Sequence, residues 1–108
     1  MEETYHPILN RPWEYSIQEI HWGRLDPVDD GLCLDITFVK GEQRRRLRFL
    51  SPSDVKIELL SCPQQCGEMI LRDIRDRGWE GRAVQIAEGG ASGSPVLLYA
   101  KEVIDLDK

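Results

Sequence analysis

The chain has 108 residues, 41% of them hydrophobic and 31% charged, with 14 Lys and Arg against 19 Asp and Glu for a formal net charge of −5. That is the size of one domain, long enough to hold a single core without disulfides or a structural metal, and too apolar for a disordered segment. The acidic excess works against duplex nucleic acid and anionic membrane surfaces, which would need a concentrated basic patch, and no apolar run approaches the roughly 18 residues that cross a bilayer.

The first ten residues, MEETYHPILN, are acidic and lack both the basic and the apolar stretch of a signal peptide. Together with three cysteines, an odd number, this predicts reduced thiols and a cytoplasmic protein. Pro and Gly are scattered rather than gathered into a linker, and no repeat is visible, so residues 1–108 read as one domain.

Residues 1–12, with Pro7 and Pro12, are expected to run irregularly over the surface. Trp13 to Trp22 reads as a first strand: Trp13, Tyr15 and Ile17 alternate, then Ile20 and Trp22 continue on the opposite parity, which implies a bulge between them. The LDPVDDG segment that follows has the composition of a turn. It also falls short of a calcium loop, with Val28 at the third position and Thr37 where the bidentate glutamate belongs. Leu32 to Val39 alternates cleanly, Arg44 to Leu50 alternates again, and Val55, Ile57 and Leu59 mark a fourth strand. Ser61 with Gln64 resembles a capping box, and Cys66, Met69, Ile70 and Ile74 recur at helical spacing. These signs predict a helix over about 62–77, with Glu68–Arg72 and Asp73–Arg77 as pairs on its wet side and Gly78 as its stop. Two strands close the chain, Ala83 to Ala87 and a long one from Pro95 to about Leu106. The expected fold is α+β: a single curled antiparallel sheet of about six strands, in the order ββββαββ, with one helix on its apolar face.

The most distinctive stretch is VKGEQRRRLRF, residues 39–49. Closing a hairpin with Gly41-Glu42 as its two-residue loop sets Ile36 opposite Leu47 and Leu34 opposite Phe49 on the dry face. Thr37 then meets Arg46 and Asp35 meets Arg48 on the wet face. A slip by one residue would reverse every side chain, so the pattern fixes the register. Arg44, Arg46 and Arg48 thereby form a solvent-side row, and Arg45, of inner parity near the tip, can lay its stem on apolar surface. Guanidiniums about 6.5–7 Å apart could track phosphates. But strand platforms for nucleic acid interleave aromatics, and this face has none, so a solvated strand face or an acidic protein partner fits better.

Gly90-Ala91-Ser92-Gly93-Ser94-Pro95 resembles the nucleophile segment of chymotrypsin-like serine proteases, G-D-S-G-[GS]-P. That resemblance implies a triad of His21, Asp35 and Ser92. It covers six residues, Ala91 stands in place of the family's aspartate, and the surroundings of His21, QEIHWG, do not match the family's histidine segment. The residues themselves read as a flexible hairpin loop with glycines at positive φ. Cys62 and Cys66 are too sparse a pattern for zinc, and Cys66 reads as a small core residue. No metal or cofactor is expected. Trp13, Tyr15, Trp22, Trp79 and Tyr99 are expected at the core or its rim; found exposed together, they would mark a contact surface.

These readings favour a small, non-enzymatic interaction or regulatory module with an acidic surface, whose partner is another protein or a second copy of itself, joined edge to edge. The candidate binding residues are Arg44, Arg46, Arg48, Arg45 and His21. The alternative is a ligand-binding or enzymatic domain with a pocket inside the curled sheet, drawing on His21, Arg45, Cys66 and the 88–94 loop.

Overall fold

The computed structural model describes residues 5–9, 11–24, 31–59, 61, 63–78, 80–90 and 93–107. Nine strands run through them: β1 (Ser16–Arg24), β2 (Leu32–Lys40), β3 (Gln43–Leu50), β4 (Ser53–Ile57), β5 (Gln64–Gln65), β6 (Met69–Asp73), β7 (Val84–Glu88), β8 (Val96–Ala100) and β9 (Glu102–Asp105). They form two antiparallel sheets, in the orders β5-β1-β2-β3-β9 and β4-β8-β7-β6. The single sheet with a covering helix is therefore wrong. Among the described residues the only helical pieces are 3-10 turns at Pro7–Leu9, Pro12–Glu14 and Arg75–Arg77.

The β2–β3 hairpin forms in the register that alternation dictates. Ile36 lies opposite Leu47, Leu34 opposite Phe49, Thr37 opposite Arg46 and Asp35 opposite Arg48. Gly41, at φ +59°, supplies the left-handed dihedral that the first turn position demands. Strand β1 begins at Ser16 rather than Trp13, and its register against β2 shifts between Ile17 and Glu19, the bulge implied by the change of parity.

The predicted helix over 62–77 is replaced by strands β5 and β6 and a final 3-10 turn; Cys62 itself lies outside the described residues. The Ser61 hydroxyl does reach Gln64, at 3.5 Å, but no helix follows. The apparent helical spacing has another cause. Met69, Ile70 and Leu71 are all buried, so β6 is covered on both faces, and a short strand of that kind shows no alternation. Met69 and Leu71 enter the main core, while Ile70 sits opposite Ala87 on the other face. The N-terminal segment meets the free edge of β6: Tyr5 bridges to Arg72, and the His6 amide donates to the Leu71 carbonyl at 2.8 Å.

The expected last strand is two. Strand β8 pairs with β7 in one sheet, and β9 pairs with β3 in the other. The chain crosses at Lys101, whose amide donates to the Leu50 carbonyl at 2.8 Å. The two sheets share one buried cluster: Ile17, Leu34, Ile36, Phe38, Leu47, Phe49 and Val103 come from the first, Met69, Leu71, Val84, Ile86, Val96, Leu98 and Ala100 from the second, joined by Leu9 and Cys66.

His6 links this packing to pH. Its Nδ1 accepts a hydrogen bond from the Ile8 amide at 3.2 Å, which requires the ring nitrogen to be unprotonated. Partial burial lowers its pKa below the ordinary 6.5, against a smaller opposing pull from Asp73. The folded state then binds fewer protons than the unfolded one, so His6 contributes stability that is complete above about 6.5 and is lost as pH falls from there toward the folded value. A second decline belongs below about 3.8, where Asp73 and Asp107, both held down by their hydrogen bonds, take up protons. Urea midpoints measured from pH 8 to 3 should show both steps, and His6→Gln should remove the upper one alone. Identical profiles for the two proteins would refute the assignment.

Candidate interaction surface

Strand pairing brings the arginine row onto the outer face of the first sheet, where each guanidinium but one meets a carboxylate of the same chain. Arg48 holds Asp35 with two hydrogen bonds of 2.8 and 2.9 Å. Arg46 holds the Asp107 carboxylate through Nε at 3.0 Å and Nη2 at 2.9 Å, and its amide donates to the second oxygen. That amide first, and then the guanidinium, keeps the Asp107 carboxyl below the usual range. Arg45, on the inner parity, reaches Asp105 at 2.8 Å and the Ile8 carbonyl at 2.6 Å. Arg44 remains exposed, with no salt bridge among the described residues.

The carboxylates come from β2 and from the end of the chain. Because β9 pairs with β3, Asp105 and Asp107 are delivered beside the hairpin. The reach of IDLD back to RRRLR is a tertiary fact, invisible to local pattern.

His21 lies opposite Asp35, and Glu19 opposite Thr37. A shallow hollow of ≈ 180 Å³ on this face is lined by Glu19, His21, Asp35, Thr37, Arg46 and Leu106. It brings His21 together with Arg46 but not with Arg44 or Arg45. Ser92, the third member of the implied triad, lies outside the described residues, as do Ala91, Trp79 and residues 25–30. Cys66 is sealed in the core, and burial pushes its thiol up to about 12. His21, Arg45 and Cys66 thus lie on an outer face, at a hairpin and in the interior, so they do not line a common cavity.

A second surface was missed. Tyr5 and Trp13, 44% and 39% exposed, meet edge to face with ring centroids 6.0 Å apart. Beside them runs a groove of ≈ 350 Å³ lined by Tyr5, Trp13, Gly67, Glu68, Ile70 and Gly89. A neighbouring hollow of ≈ 370 Å³ shares Gly67 and takes in Glu58 and Glu88. Glu68, expected to face Arg72 across a helical turn, instead lays its carboxylate against Gly90, where an added Cβ would fall 1.5 Å from Oε2. Glu88 does the same at Gly93, which also holds φ +71°. The glycines of the 88–94 loop therefore make room for carboxylates.

No family model, curated protein or solved structure matches this chain. The reading of its role rests on these surfaces. Among the described residues no group of three or more His, Cys, Asp or Glu is arranged to hold a metal, and no helix is long and apolar enough to cross a membrane.

Proposed function

We propose that the chain is a non-enzymatic interaction module whose partner is a protein of basic surface. One observation carries this reading. The hairpin arginines are largely taken up by carboxylates of the same chain, whereas Glu19, Glu42, Glu68, Asp76, Glu88 and Glu102 have no salt bridge among the described residues. The charge left over for a partner is negative. Such a surface steers a basic protein inward and repels nucleic acid and anionic lipid. The free, buried Cys33 and Cys66 suit a reducing compartment and favour the cytoplasm as its location.

The test is affinity capture from the source cells, followed by binding measurements on the captured protein. The expected partner is basic, its affinity falls by tenfold or more between about 50 and 500 mM salt, and a Glu19→Lys, Glu68→Lys, Glu88→Lys triple variant loses most of it. Binding indifferent to both salt and charge reversal would overturn the proposal.

Self-association has its own support. Among the described residues β5 covers the outer edge of β1 only at Ser16 and Ile17, so Glu19–Arg24, paired with β2 on one side, has no strand on the other, and Trp22 in that stretch is 49% exposed. Sedimentation velocity should show a dimer that Trp22→Lys dissociates; a monomer at every concentration would dismiss this mode.

A further inference from the structure

We propose that the groove between the Tyr5–Trp13 pair and the 88–94 loop is a seat for an arginine side chain of the partner. The inference rests on the basic-partner reading above and gives it a site. Three features converge. Ile70 gives the lining an apolar side chain, and Gly67 and Gly89 add no side chains to obstruct a flat group. One wall consists of two exposed aromatic rings, whose faces attract a cation. The other wall carries the Glu68 carboxylate, half-buried and without a cation of its own among the described residues.

Glu68 is also held in place. Its amide donates to the Gly93 carbonyl at 2.8 Å, and its carbonyl accepts from the Gly89 amide at 2.7 Å. Both bonds tie it to the loop whose Gly90 leaves room for the carboxylate. A flat guanidinium can stack on a ring and fork onto a carboxylate at once, which a lysine ammonium cannot do. Glu88, lining the adjoining hollow, extends the negative track to a second basic residue of the same segment, while Glu58 there is already paired with Lys56 at 3.3 Å. An apolar or acidic segment would leave Glu68 uncompensated as its surroundings dried.

The probes are Nα-acetyl-arginine methylamide and its lysine and citrulline counterparts, titrated against ¹⁵N-labelled protein. Arginine should shift the Trp13 indole and the Gly89 and Gly90 amides saturably. Lysine should bind at least threefold more weakly, and citrulline, of equal shape but uncharged, should leave them unmoved. Glu68→Gln and Trp13→Ala should each weaken arginine fivefold or more. Gly90→Ala, which displaces only the flexible end of Glu68, should do so while the protein stays folded. Asp54→Asn, at an exposed acid outside the groove that pairs with Arg82, should change nothing. An equal response to lysine, or equal losses from Glu68→Gln and Asp54→Asn, would overturn the seat. If the captured partner is released by charge reversal yet ignores Glu68→Gln and Trp13→Ala, this site fails and the module reading stands; indifference to all of them sinks both.

Discussion

Replacing Phe49 by alanine is expected to cost about 3–5 kcal/mol, a fifth or more of the roughly 5–15 kcal/mol that holds a typical domain together. Phe49 is fully buried in the middle of the first sheet, opposite Leu34 on β2 and Val103 on β9, within the cluster that both sheets share. Truncation removes apolar contact on each side and leaves a void that a sheet, pinned by its ladders, closes only in part. Arg44→Ala, five residues away on the exposed side of the same strand, should stay within about 0.5 kcal/mol. Urea unfolding followed by tryptophan fluorescence gives both numbers. A midpoint for Phe49→Ala within error of the unsubstituted protein would mean that the dry face of the hairpin is not where the structure puts it.

That dry face could be read from sequence because three independent signals agree on it. Residues 32–38 and 44–50 each alternate, the Gly41-Glu42 loop fixes how they meet, and the resulting register pairs apolar with apolar and Asp35 with Arg48. The bulge in β1 was legible for the same reason, since Ile17 and Ile20 cannot share a face in an unbroken strand. The segment from Met69 to Ile74 misled because burial on both faces erases the period of two, and what remains looks like a helix stripe. The helix also seemed to explain Glu68 and Arg72 as a pair. In a strand, residues four apart are too distant for that, and Glu68 turns to the glycine loop.

The surfaces follow the same division. The arginine row and its Asp35 partner lie within one hairpin and could be placed from it. Asp105 and Asp107 are some 60 residues downstream of the arginines they neutralise, and only the β3–β9 pairing brings them near. Tyr5 and Trp13 fell in a segment read as irregular or as the start of a strand. The 3-10 turn at Pro12–Glu14 and the Tyr5–Arg72 bridge set both rings beside β6.

The crossing at Lys101 is where this architecture can be broken at a single backbone atom. Ala100 is the last residue paired in one sheet and Glu102 the first in the other. The sequence carries a trace of the switch: Val96, Leu98 and Ala100 are buried on even positions, then Val103 on an odd one. At the step between, the Ala100 carbonyl accepts from the Ala83 amide at 2.9 Å, and the Lys101 amide donates to Leu50 at 2.8 Å. The Lys101 side chain is exposed. Lys101→Ala should therefore be neutral to within about 0.5 kcal/mol, while Lys101→Pro, which deletes the amide and orphans the Leu50 carbonyl, should cost roughly 2–3 kcal/mol. The damage should be local first. Amide exchange across Glu102–Asp105 should speed up before that of β7 and β8, because β9 is four residues long and, among the described residues, has β3 as its one strand partner. Loosening β9 also withdraws Asp105 and Asp107 from Arg45 and Arg46, exposing two guanidiniums that the native chain keeps occupied. Equal stability of the proline and alanine variants would show that the last strand does not change sheets at Lys101, and the account of how the arginine row is neutralised would fall with it.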